Sequence, residues 1–106
     1  MAYQSINPAS GEVGQSFPEL SDAELETAIV AAAACYEDWR QTSFAQRAAI
    51  VSKAASIMRD RNEELARLVT LEMGKLIAQA QGEVSLSADI IAYYAEPAER
   101  LLATEQ

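Results

Sequence analysis

Histidine is absent from the 106 residues and cysteine occurs once, at Cys35. Together these facts exclude an intramolecular disulfide, a zinc site built from Cys and His, and any Ser/His/Asp or Cys/His catalytic set. A lone cysteine also suits a reducing, cytoplasmic setting. No apolar run approaches the roughly 18 residues that a membrane-spanning helix needs, so no membrane span is expected. The opening residues show no basic stretch followed by an apolar one, so no secretory leader is read there. Basic residues are scarce: eight against sixteen acidic, for a net charge of -8. Six of the eight (Arg47, Lys53, Arg59, Arg61, Arg67 and Lys75) are close in sequence, but at 100° per residue they scatter around a helix. That is not the stripe a nucleic-acid footprint requires, and no nucleic-acid partner is expected.

Alanine is what the chain has in abundance. Half of the residues are apolar, and 21 of those 53 are Ala. A core made this way is methyl against methyl, which favours close helix packing over a deep interior. The length suits one small domain. Residues 1–20 read as a β-hairpin arm and residues 21–106 as a helical region, giving a mostly α chain with three to four amphipathic helices.

The arm alternates through Tyr3-Gln4-Ser5-Ile6 and again through Glu12-Val13-Gly14-Gln15-Ser16-Phe17. Between them Pro8 presets an early turn position and Gly11 can take φ > 0. A two-stranded hairpin is marginal in water, so this one needs something to lie against. Ser21 with Glu24 forms a capping box, flanked by Leu20 and Leu25 as a hydrophobic staple. It opens a helix over Asp22–Gln41 with Leu25, Ala28, Ile29, Ala32, Tyr36 and Trp39 at helical spacing. Ser43 with Gln46 opens a second, whose stripe is Ile50, Val51, Ala54, Ala55 and Met58. Asn62 is placed to cap a third, carrying Leu65, Leu68, Val69 and Met73, with Glu63 and Arg67 as an i, i+4 pair and Gly74 as its C-cap. The last helical segment, Leu76–Ala103, carries Ile77, Ala80, Val84, Ala88, Ile91, Tyr94, Ala95, Ala98 and Leu102. Within it Gly82 costs about 1 kcal/mol relative to Ala, and Pro97 predicts a kink or an end because it lacks the amide proton.

Candidate reactive groups have structural readings that fit better. Cys35 lies deep in its helix beside Glu37 and Asp38, not in the electropositive setting that activates a thiol, and reads as a small packed side chain. Gly74-Lys75 is not a phosphate loop, because Val69 and Leu76 stand where that motif needs Gly and Ser/Thr. No G-x-G-x-x-G is present. The pairs Glu63-Glu64 and Glu96/Glu99 read as solvated helix faces, with no apolar setting to separate two carboxyl pKa values. Tyr93, Tyr94 and Trp39 read as core or interface aromatics. No catalytic, coenzyme-binding or metal-ligating residue is therefore assigned.

Several motifs in order are nonetheless familiar. Asn7-Pro8-Ala9-Ser10-Gly11-Glu12-Val13, Phe17-Pro18, Trp39 with Ser43-Phe44-Ala45-Gln46-Arg47, Leu65 through Lys75, Gly82-Glu83-Val84 and Tyr93-Tyr94-Ala95 span essentially the whole chain. Together they resemble the beginning of an aldehyde dehydrogenase. Glu72-Met73-Gly74-Lys75 looks most like the succinate-semialdehyde dehydrogenase branch. The resemblance implies the opening segment of a longer α/β enzyme that binds NAD or NADP. In such enzymes a Cys thiolate attacks the aldehyde, hydride passes to the nicotinamide, and a Glu-activated water releases the acid. The residues that do this come later than the end of this chain, and Cys35 does not match the nucleophile. The chain by itself is thus expected to be inactive framework, to bind no coenzyme, and to self-associate or dock on a full-length homologue as a helical interaction module. Two residues depart from the family pattern: Leu76 stands where Pro is common, and Pro97 falls in a helix that usually continues, often with His in that place.

Overall fold

The computed structural model describes residues 3–104. Two strands, β1 (Tyr3–Ile6) and β2 (Val13–Phe17), precede four long helices: α1 (Asp22–Trp39), α2 (Phe44–Asp60), α3 (Asn62–Met73) and α4 (Ile77–Ala95). A single further turn, α5 (Ala98–Leu101), closes the described chain. The expected plan, a hairpin followed by helices, is the observed one.

β1 and β2 pair antiparallel, with Tyr3 opposite Phe17 and Ile6 opposite Val13. The register slips between Ser5 and Ile6, so Gly14 is the extra residue of a bulge. There Gln15 N–H donates to Ser5 Oγ (3.0 Å). Gly11 takes φ +74° at the reversal, as the sequence requires. Asn7 organises the turn: its Oδ1 accepts from Ala9 N–H and its carbonyl accepts from Gly11 N–H. The arm finds its support on α3, where Pro8 lies against Gly74 and β1 touches the helix.

Both predicted capping boxes are formed. Ser21 Oγ accepts from Glu24 N–H (3.3 Å), and Glu24 Oε2 accepts from Ser21 N–H (2.8 Å). Ser43 and Gln46 repeat the arrangement for α2 (3.2 and 2.8 Å). The Glu24 carboxyl lies below the usual carboxylate range, chiefly because Ser21 N–H bonds to it and secondarily because the Ser21 hydroxyl does. A depressed folded-state pKa gives stability that is present above the ordinary value of 4.5 and lost as pH falls through the lower folded value. Ser21→Ala should cost α1 about 1 kcal/mol. Amide exchange in the first turns of α1 would then be faster in the variant, and the wild type should approach that rate below pH 4.5. An unchanged exchange pattern in Ser21→Ala would count against the cap.

α4 is the centre of the helical layer, flanked by α2 on one side and α3 on the other. Among the described residues, the buried ones are Ala55 of α2, Ala66 of α3, and Ala80, Val84, Ala88 and Ala95 of α4. Five of these six are alanine, which lets the helix axes approach closely. Met58, Leu65 and Val69 seal the edge of the Ala66–Ala80–Val84 cluster. Polar ties cross the same seams. Arg59 pairs with Asp89 at 2.8 Å, and Lys75 bonds to Glu83.

Four expectations change, and a fifth, the interruption at Pro97, is met. The first helix stops at Trp39, two residues short of Gln41. Asn62 does not cap α3, since Arg61 is at that position and makes no side-chain cap bond. Asn62 Nδ2 instead donates across the layer to the Gln81 carbonyl (2.9 Å) and to Ser85 Oγ (3.0 Å) of α4. The segment Leu76–Ala103 is broken at Pro97, which separates α4 from α5, one of the two outcomes that proline predicts. Ile50, Leu68, Met73, Ile77 and Leu102 sit on the predicted stripes yet are exposed, Met73 by 76%. Finally, α1 buries none of its residues and is absent from the closely packed helix pairs. The radius of gyration, 18.4 Å, accordingly exceeds the roughly 13 Å of a compact domain of this length.

Candidate functional site

Cys35, the one thiol, is exposed on α1, correcting its expected role as a packed side chain. Its helix lies outside the packed layer and buries none of its residues. Glu63 and Glu64 face solvent at the start of α3: Glu63 pairs with Arg67 (3.7 Å), and Glu64 accepts from Arg61 Nε (2.8 Å). The Arg61 guanidinium holds the Glu64 carboxyl below its usual range, mainly through that hydrogen bond. Both are helix-surface ion pairs, not an acid and a base sharing a dry cleft. Glu96 and Glu99 are exposed beside Pro97. Among the described residues, no group of three or more His, Cys, Asp or Glu could hold a metal ion.

Two concave features stand out. A cleft of about 300 Å³ separates the hairpin from α3, lined by Ser5, Asn7, Glu12, Leu68, Leu71 and Glu72 among others. A wider groove of about 700 Å³ runs between the end of α1, the first half of α2 and the α4–α5 junction. Its walls are aromatic: Tyr36, Trp39, Phe44 and Tyr94. Trp39 is 37% exposed and Tyr94 59%, so these rings line a surface and are not core residues. Two guanidiniums lie in this groove. Arg40 sits 5.9 Å from the Tyr36 ring centroid and Arg47 4.8 Å from that of Phe44, both within cation–π range. No carboxylate lines the groove. Sequence spacing placed Tyr36 and Trp39 on one stripe but gave no signal that Phe44 and Arg47 would join them, because that juxtaposition depends on the turn at residues 40–43.

A dinucleotide phosphate needs backbone N–H groups at a helix start, usually behind a glycine-rich turn. Gly74 terminates α3 with φ +69°, which puts the carbonyl end of that helix there, and α4 begins three residues on at Ile77 with no side chain capping its first N–H groups. Lys75 next to it is bonded to Glu83. Arg59, Arg61 and Arg67 are each paired with a carboxylate. The turn between α3 and α4 thus holds a single glycine and a lysine already bonded to a carboxylate, which is not the glycine-rich phosphate turn.

What decides the family is the match along the chain. The aldehyde dehydrogenase family profile fits residues 1–106. The chain belongs to the aldehyde dehydrogenase family. It is 46% identical over 94 residues to succinate-semialdehyde dehydrogenase [NADP(+)] of Deinococcus radiodurans, covering 89% of this chain and 20% of that protein. Over 105 residues it is 43% identical to succinate-semialdehyde dehydrogenase [NADP(+)] 1 of Mycobacterium tuberculosis strain H37Rv, covering 99% and 23%. The fold agrees. The crystal structure of succinic semialdehyde dehydrogenase from Streptococcus pyogenes, in complex with NADP+, superposes with a TM-score of 0.90 at 37% identity, covering 99% of this chain and 24% of that one. This aldehyde dehydrogenase chain thus spans between a fifth and a quarter of the length of these relatives. No helix among the described residues is long and apolar enough to cross a membrane.

Proposed function

We propose that this chain is the opening framework of an NADP-linked dehydrogenase that oxidises succinate semialdehyde to its acid, and that the 106 residues alone do not turn over. The observation that carries the reading is the 46% identity to the Deinococcus radiodurans enzyme of that name. The geometry supports the division of labour. The motif residues of the family form capping boxes, a hairpin bulge and an alanine-packed seam, and the described side chains include no nucleophile poised beside a base. Framework of this kind positions later strands and helices by offering them apolar faces, and α1 and the outer stripes of α2 and α4 have such faces uncovered.

A chimaera tests the proposal directly. Residues 1–106 replace the corresponding part of the Deinococcus radiodurans enzyme, and NADPH formation is followed at 340 nm with succinate semialdehyde. The chimaera should be soluble and active within about tenfold of the parent, while the 106-residue chain alone should form no NADPH. Turnover by the short chain that disappears in Cys35→Ala would overturn the proposal, and so would a folded chimaera that oxidises other aldehydes but not this one.

The uncovered stripe of α1 favours a second role, association with another copy of the chain or with a full-length relative. A light-scattering mass that rises with concentration would support it; a fixed mass of 11.5 kDa would not.

A further inference from the structure

We propose that the aromatic groove seats an apolar segment from the rest of the dehydrogenase, and that one Asp or Glu of that segment pairs with Arg47. This rests on the reading of residues 1–106 as framework, with more than three quarters of each relative lying outside the matched part. Arg47 is the observation that selects the partner. Five of the eight basic residues are bound to carboxylates: Arg40 to Glu37, Arg59 to Asp89, Arg61 to Glu64, Arg67 to Glu63 and Lys75 to Glu83. Arg47, Lys53 and Arg100 have no such partner among the described residues, and of these three Arg47 alone is half-buried. Its guanidinium stands 4.8 Å from the Phe44 ring centroid. That contact engages the face of the cation and leaves its N–H donors without an acceptor among the described residues.

The walls around Arg47 set the rest of the chemistry. Tyr36, Trp39, Phe44, Tyr94 and Leu102 give the groove its apolar surface, which favours large apolar side chains in the occupant. Any segment laid over these walls takes water away from Arg47. A wholly apolar occupant would strip the guanidinium of hydration and return nothing, which is strongly unfavourable. A carboxylate presents two oxygens to the fork of N–H donors, the pairing that suits a partly desolvated arginine. One acid is enough. Arg40, the other guanidinium of the groove, already has Glu37 at 3.6 Å, so a second carboxylate would find no free cation there.

The chimaera described above supplies the rest of the enzyme, and R47K makes the contact chemically readable. A carbodiimide joins an amine to a carboxylate only where the two touch. In the R47K chimaera it should link position 47 to an Asp or Glu beyond residue 106 of the same polypeptide, mapped by mass spectrometry of the peptides. Lys75 and Glu83 are in contact within the chain, so their link is the internal standard. Phenylglyoxal, an arginine-selective reagent, tests the pairing with Arg47 in place. It should modify Arg47 about tenfold or more slowly in the chimaera than in the 106-residue chain. Equal rates would overturn the pairing. So would an R47K chimaera that forms NADPH while position 47 links only within residues 1–106, only to another molecule, or to nothing while Lys75 and Glu83 join. Each of these results leaves the framework reading standing. A chimaera with Arg47 in place that does not fold would overturn the framework reading and the pairing with it.

Discussion

Ala80→Glu should dissolve the helical layer. Ala80 is fully buried on α4, against Ala66 of α3 and beside Val84, with Met58, Leu65 and Val69 closing the cluster. None of these neighbours can donate a hydrogen bond from its side chain. A carboxylate placed there must either lose its hydration or stay protonated, at a cost of several kcal/mol. Size adds to charge: the seam is made of methyl groups, so extra side-chain atoms force the axes apart, at about 1–3 kcal/mol even for an apolar replacement such as Ala80→Leu. A layer whose buried residues, among those described, are five alanines and one valine has little stability to lose. The expected result is loss of the cooperative urea transition in Ala80→Glu, and a clearly lowered midpoint in Ala80→Leu with helical circular dichroism retained. Retention of the wild-type midpoint by Ala80→Glu would show that α4 does not pack as described.

The same seam shows how far the sequence could be read. Capping signals act over three or four residues, so Ser21–Glu24, Ser43–Gln46 and Gly74 were legible as strings, and each is found in its expected role. Pro97 is equally local, and the chain breaks there. Periodicity marks the apolar stripe on a helix but not whether a neighbour lies against it. The stripe of α4 is covered at Ala80, Val84 and Ala88, whereas the equally regular stripe of α1 is bare. Cys35 was misread for that reason, being placed well inside a helix that itself lies on the outside. Asn62 failed in a different way. Its amide satisfies a carbonyl and a hydroxyl 19 and 23 residues away, and a residue type favoured at helix starts gives no hint of so distant a partner. The candidate site had the same limit: its rings come from α1, α2 and α4, and only the fold assembles them.

The coupling between the arm and the helices rests on one glycine, which makes Gly74→Val the second large effect. Gly74 has φ +69°, a region that costs an ordinary L-residue about 1–2 kcal/mol and a β-branched one more. Its N–H closes α3 by donating to the Thr70 carbonyl (3.0 Å), so the conformation cannot be given up without fraying the last turn. Space is short as well. A Cβ at this position would lie 3.0 Å from Pro8 Cγ, tighter than ordinary contact, and the proline ring is rigid. Backbone strain and the Pro8 contact therefore act together, for a loss of roughly 2–3 kcal/mol. The hairpin should swing away from α3 before the α2–α4–α3 layer is affected, because its other support is the edge of β1 along that helix. Hydrogen exchange would then show lost protection in β1, β2 and the end of α3, with α4 protected as before. Gly82→Ala is the matched control: it lies in a helix interior where a Cβ meets nothing within 4 Å, so the change should stabilise α4 by up to about 1 kcal/mol. Equal protection of the hairpin in Gly74→Val and in the wild type would mean that Pro8 does not rest on the end of α3, and that the arm is held by something other than the glycine cap.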